Sequence, residues 1–186
     1  MKSLQQILEV LEEYYHFSYL SNMVKILNDS EWILSEDDYH NDDKYKGKYY
    51  LSFTRSKTSK TGYPANLEPH NMVRVIFDGR KLSQRYKIVP VDYFGGFKAF
   101  ATKAWHKDPA VFDEYKDEYM KQYNVEAEDR LYSKTKTIKG IEKYIVGVDV
   151  NIDDSDPEKI EVLRGACKKR NIPFNEYNQK HFELGR

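Results

Sequence analysis

Tyr15-His16-Phe17-Ser18-Tyr19-Leu20-Ser21-Asn22-Met23-Val24-Lys25-Ile26-Leu27 reads as a short strand that turns into a helix. His16 and Ser18 stand two residues apart, so on a strand their side chains leave the same face and can address one ligand together. Ser21 is the expected helix cap, with Val24 and Leu27 at helical spacing behind it. The same stretch also fits a purely structural strand-turn-helix in which His16 is a satisfied histidine.

Working outward, Leu4, Ile7, Leu8, Leu11 and Tyr14/Tyr15 recur at three and four, which predicts an amphipathic helix over residues 3–14 with Glu9, Glu12 and Glu13 outward. Downstream, Trp32-Ile33-Leu34 is a short extended piece. The loop Glu36–Asp43 is acidic, but it lacks the glycine and terminal glutamate of a calcium loop and reads as a solvated surface loop. Tyr49-Tyr50-Leu51-Ser52-Phe53-Thr54-Arg55 is a strand. Alternation sends Tyr49 and Tyr50 to opposite faces, so one is core and only the other is available to a ligand.

Met72–Phe77 is the next strand, ended by Asp78-Gly79, with a helical turn over 80–83. Tyr86–Val91 follows, and Pro90 puts that strand at a sheet edge. One or two helices are expected within 97–123. Tyr144–Val150 is the clearest buried strand, and Ser155-Asp156-Pro157-Glu158 opens a helix that runs to about Arg170. Ile172-Pro173-Phe174 reads as a final edge strand. Strands and helices mixed in this irregular order give an α+β fold class.

The 186 residues suit one domain with a real core. Formal charge is zero, yet residues 44–103 carry 13 Lys/Arg against 3 Asp/Glu. Tyr45, Tyr49, Tyr50, Phe53, Tyr63, Phe77 and Tyr86 are interleaved there, a composition that suits a nucleic-acid backbone and its bases. It also suits strands with solvated lysines on their outer faces. The lone Cys167 excludes an internal disulfide and sits at helical spacing beside Leu163, as a small core residue would. No apolar run near 18 residues and no leader-like segment is present, so an intracellular protein with no membrane association is expected. His40, His70, His106 and His181 show no paired metal spacing, and no metal is expected.

No glycine-rich βα turn of the P-loop or Rossmann type occurs. What remains in chain order is His16/Ser18, the strand ending Ser52-Phe53-Thr54-Arg55-Ser56, and Glu126-x-Glu128. This order resembles NAD-dependent ADP-ribosyltransferases of the DNA-modifying DarT type, which present an NAD-binding histidine, a nicotinamide-side strand and a catalytic glutamate in that sequence. The resemblance implies an α+β domain with a split mixed/antiparallel sheet and flanking helices over residues 1–150, with 151–186 a helix–strand addition to it. It implies NAD as substrate, no metal, and NAD in a cleft between His16 and Glu128.

By the same resemblance, Glu128 is the catalytic carboxylate and Arg55 serves the NAD phosphates and the acceptor. His16, Ser18, Tyr49 or Tyr50, and Ser52 hold NAD, with a tyrosine stacking on nicotinamide. Glu126 and Thr54 are acceptor or accessory positions. Glutamate-x-glutamate, rather than a glutamine at the first position, resembles arginine-modifying transferases, so the acceptor is left between a nucleic acid and a protein side chain. The chemistry suits these types: cleaving the nicotinamide–ribose bond develops positive charge on the ribose, which a carboxylate beside the 2′-OH stabilises. Three alternatives stay open: a non-catalytic binding or inhibitor protein that keeps the fold, an RNA 2′-phosphotransferase using Arg55, Arg74, Arg80 and Arg85, and a structural component of a larger assembly.

Overall fold

The computed structural model describes residues 12–36, 48–59, 64, 67–86, 88–91, 128–153 and 155–185. Residues 3–11 of the expected first helix, the acidic loop from Asp37 to Asp43, the segment 97–123 and Glu126 lie outside the described residues. Strand β1 (Glu13–Tyr19) buries both faces, Tyr14 on one and Tyr15 and Phe17 on the other. Glu13 and Tyr14 are therefore strand, not the end of a helix. Strand β5 (Met72–Asp78) pairs antiparallel with every residue of β1, from Glu13↔Asp78 to Tyr19↔Met72, and that ladder overrides the local three-four spacing.

Helix α1 (Leu20–Asp29) begins one residue before the expected cap, with Tyr19 at the N-cap and no side-chain cap bond. Ser21 is exposed in the first turn. The capping bond comes from elsewhere in the chain: Leu20 N donates to the Asn71 carbonyl at 2.7 Å. Asn71 holds φ 58°, a left-handed conformation that asparagine tolerates, and its side chain accepts from Asp156 N at 3.2 Å. Leu20, Met23 and Leu27 are fully buried, each contributing about 1.5–3 kcal/mol.

The other elements are β2 (Glu31–Ile33), β3 (Ser35–Glu36), β4 (Tyr49–Thr54), α2 (Gly79–Arg85), β6 (Ile88–Val91), β7 (Glu128–Ser133), β8 (Thr137–Lys139), a 3-10 turn (Ile141–Tyr144), β9 (Ile145–Asn151), α3 (Pro157–Lys169), β10 (Phe174–Tyr177) and α4 (Gln179–Leu184). The main sheet runs β10-β9-β5-β1-β4-β7-β6, antiparallel except for β10 beside β9, with β3 also on β4; β2 and β8 form a separate ribbon. β6, with its proline, takes the edge. α3 starts as its sequence demands: Asp156 accepts from Glu158 N at 3.0 Å and Lys159 N at 3.4 Å, and Pro157 follows. The last strand is displaced to Phe174–Tyr177, and α4 was not expected.

Two hydrophobic clusters sandwich the sheet. Tyr14, Trp32, Leu51, Phe53, Phe77, Leu131, Leu163 and Cys167 lie in the larger, and Tyr15, Phe17, Met72 and Phe182 form the smaller. Burial pushes the Cys167 thiol up to about 11, so it stays protonated and packs as a small apolar group. No helix among the described residues is long and apolar enough to cross a membrane.

Candidate active site

The sheet is split between β1 and β4. β1 pairs along its whole length with β5, and β4 along its whole length with β7, but β1 and β4 share the single position Tyr15↔Thr54. At its other end, the side of β4 away from β7 is taken by β3, at Ser35↔Tyr50 and Glu36↔Tyr49. Leu51, Ser52 and Phe53 therefore turn an unladdered backbone edge towards the gap. His16 fills part of it, its Nδ1 2.7 Å from the Ser52 carbonyl oxygen.

That contact fixes the state of the imidazole. Burial pushes His16 down to about 4, opposed only by the bond to Ser52, so the ring is neutral at neutral pH. Because a carbonyl only accepts, Nδ1 carries the proton and Nε2 is an acceptor. The ring packs edge-on against Trp32 at 5.2 Å and Phe53 at 6.5 Å between centroids.

On the other side of the same backbone, Ser52 Oγ donates to Glu128 Oε1 at 2.5 Å, and Arg130 Nε donates to that same oxygen at 2.8 Å. β4–β7 register explains the meeting: Ser52 lies opposite Arg130, and Thr54 opposite Glu128, so these side chains share one face. By alternation His16 leaves β1 on the opposite face, with Tyr14. Ser52 is the link, receiving His16 at its backbone and reaching Glu128 with its side chain. Glu128 and Arg130 are both buried, with side-chain exposures of 6% and 3%. Burial disfavours the Arg130 cation, but the Glu128 carboxylate outweighs it and holds the guanidinium above its ordinary value.

Arg55, expected to serve the NAD phosphates and the acceptor, stands just beyond the end of β4. Its guanidinium is ion-paired with Asp129, and both side chains are almost wholly buried. Burial raises the Asp129 carboxyl above its ordinary value despite Arg55 beside it. Thr54 is buried and accepts from Ser56 N at 3.1 Å, shaping the exit from β4. Tyr49 packs on the larger core, whereas Tyr50 lies on the Glu128 face with the Arg130 guanidinium 3.8 Å from its ring centroid. Ser18 stands half-buried on the His16 face, opposite Val73 of β5.

Arg130 and Tyr132 are the residues that sequence reasoning missed. The signal was alternation: Glu128-x-Arg130-x-Tyr132 on a strand faces one way. Within the basic middle segment, Arg55 and Arg74 are buried in ion pairs, while Arg80 and Lys81 are exposed on α2. Among the described residues no group of three or more His, Cys, Asp or Glu could hold a metal ion.

No protein-family model and no curated protein sequence matches the chain. Solved structures do. DarT of Thermus sp. 2.9 in complex with carba-NAD+ aligns over 92% of this chain and 97% of its own, with TM-score 0.51 and 11% identity. DarTG of Thermosipho africanus in complex with ADP-ribose gives 0.52 and 15% identity over 92% of this chain and 51% of that one. Thermus DarT in complex with ADP-ribosylated ssDNA gives 0.50 and 12% identity over 91% and 95%. The chain has a DarT-like ADP-ribosyltransferase fold.

Proposed function

We propose that the chain transfers ADP-ribose from NAD to a nucleic acid, with single-stranded DNA the first acceptor to try. The observation that carries this reading is the bond sequence His16–Ser52–Glu128 across the split of the sheet. His16 and Glu128 leave opposite faces, so one ligand touches both only by lying across the gap. The fold, shared with proteins solved with carba-NAD+, ADP-ribose and ADP-ribosylated ssDNA, supports the same assignment.

His16, neutral and bonded through Nδ1, offers Nε2 as an acceptor for a ribose hydroxyl. Ser52 and Arg130 hold Glu128 by one oxygen, and the carboxylate faces the 2′-OH of the nicotinamide ribose. The bond that breaks joins C1′ of that ribose to the nicotinamide nitrogen, and its electron pair leaves with nicotinamide. Glu128 stabilises the positive charge left on the ribose, a contribution worth about 10²–10³ in rate when a single such group is removed. The acceptor atom then forms its bond to C1′ and gives up a proton. Tyr50, on the Glu128 face, is the tyrosine that carries the Arg130 guanidinium on its ring, and Tyr49 packs on the larger core. Buried against Asp129, Arg55 serves here as a strut between the exit of β4 and β7.

Nicotinamide release from NAD, with single-stranded DNA, RNA and protein acceptors offered in turn and Glu128→Gln run beside the wild type, tests this. The expected result is release that needs Glu128 and rises with a nucleic acid. No release with any acceptor, together with no NAD-induced rise in Tm, would overturn it in favour of a non-catalytic binding protein.

A further inference from the structure

We propose that Arg130 is a positioning residue for the transfer, holding Glu128 by Oε1 so that Oε2 is the oxygen presented to the ribose. This rests on the transferase reading. Both bonds to the Glu128 carboxylate, from Ser52 Oγ at 2.5 Å and Arg130 Nε at 2.8 Å, fall on Oε1. Among the described residues Oε2 takes no hydrogen bond. A carboxylate held by one oxygen has its plane fixed and its second oxygen aimed.

The geometry of Arg130 fits orientation better than charge. A cation against the carboxylate weakens the field that must stabilise a positive ribose, so its charge alone works against the reaction. What the guanidinium supplies is a fixed plane. Its Nε, not a terminal nitrogen, makes the bond, which needs the side chain to lie alongside Glu128 two residues away on the same strand face. Tyr50 from β4 keeps it there, with the guanidinium carbon 3.8 Å from the ring centroid. Ser52 from β4, opposite Arg130 in the register, closes the triangle.

Among the described residues, the charged and titratable groups around Glu128 are few. Arg130 and Asp129 neighbour it on β7, with Asp129 bound to Arg55. Tyr50 faces it from β4, Tyr132 stands beside Arg130, and neutral His16 lies behind the Ser52 carbonyl. Among the described residues, Arg130 is the cation that touches the carboxylate.

The test is steady-state nicotinamide release for the full chain, with Arg130→Lys, Arg130→Gln and Tyr50→Leu. Misplacing the carboxylate by an ångström is expected to lower kcat about 10–100-fold in both Arg130 variants, with KM for NAD within about threefold. Tyr50→Leu leaves the ion pair intact and loosens only its orientation, so a fall of about tenfold in kcat is expected from it. That variant decides the matter if Arg130→Gln does not fold.

Unchanged kcat in Arg130→Lys and Tyr50→Leu, or a raised KM at constant kcat, overturns the proposal. A wild-type chain that releases no nicotinamide overturns the transferase reading instead. The clamp is then decided by crystal structures of the wild type and Arg130→Gln. A Glu128 carboxylate that turns away from Ser52 in the variant supports the clamp, and one that keeps its place removes it.

Discussion

Two buried arginine–carboxylate pairs lie on one face of this sheet, and they are finished differently. In the first, Arg74 of β5 donates through Nε at 2.9 Å and Nη2 at 2.7 Å to Asp149 Oδ2 of β9. Nη1 donates to the Lys57 carbonyl at 2.6 Å, Asn175 fills Asp149 Oδ1 at 2.9 Å, and the guanidinium carbon lies 5.3 Å from the centre of the Phe182 ring. Both carboxylate oxygens are occupied. In the second, between Arg130 and Glu128, one oxygen carries every bond.

On the proposed transferase reading, the first pair is scaffold and the second belongs to the site. A buried ion pair offsets its desolvation only when its remaining lone pairs are satisfied, and the Arg74 pair meets that condition. It also ties the loop after β4 to the C-terminal helix, where Thr58 Oγ1 donates to the Glu183 carbonyl at 2.7 Å and Ser59 N to Phe182 O at 3.0 Å. An incompletely satisfied carboxylate contributes less to the fold, and keeps an oxygen for a ligand.

The same amide substitution in each pair is the sharpest way to break this contrast. Glu128→Gln keeps the shape and an acceptor for Ser52 and Arg130. Nicotinamide release should fall about 10²–10³-fold, with the urea midpoint little changed. Asp149→Asn should do the reverse, leaving an uncompensated Arg74 and costing about 3–5 kcal/mol in urea denaturation, while the folded protein turns over within about threefold of wild type. If the two variants show the same balance of lost stability and lost turnover, the distinction fails.

A smaller effect separates the two halves by pH. His16 is held near 4, below its ordinary value of 6.5, so the unfolded chain binds the extra proton first. Stability from this group is complete above about pH 6.5 and is lost as pH falls towards 4, by at most about 3 kcal/mol. Urea midpoints at pH 7 and pH 5 should differ for wild type and converge in His16→Gln; an equal difference in both would place the acid sensitivity elsewhere. Smallest is Asn175→Ala, which removes one bond from Asp149. It should cost about 1 kcal/mol and leave nicotinamide release unaltered.

Much of the site was legible, because its parts are strand residues whose facing follows from alternation. His16, Ser52 and Glu128, expected together, are joined by hydrogen bonds through Ser52, and the β4 and β5 strands, the edge position of the Pro90 strand and the Asp156 cap stand where they were expected. Arg55 shows where that kind of reading stops. Nothing near Arg55 in the chain marks its partner, Asp129, which lies 74 residues on. Arg130 was passed over for a similar reason, since nothing local marks a cation whose partners are Glu128 on its own strand and Tyr50 across a ladder.

The sequence by itself determined the strands β4, β5 and β9, that one histidine, one serine strand and one glutamate follow in order, and that α3 has its own start signal. These are properties of residues within a few positions of one another, governed by spacing, capping and side-chain type. Only the tertiary structure decided that β1 takes Glu13 and Tyr14 from the expected helix, that Asn71 rather than Ser21 caps α1, and that β1 and β4 meet at one position and leave a gap. Those outcomes depend on the register between strands 39 and 78 residues apart at Tyr15↔Thr54 and Ser52↔Arg130, where pairing and packing across the sheet outweigh any local preference.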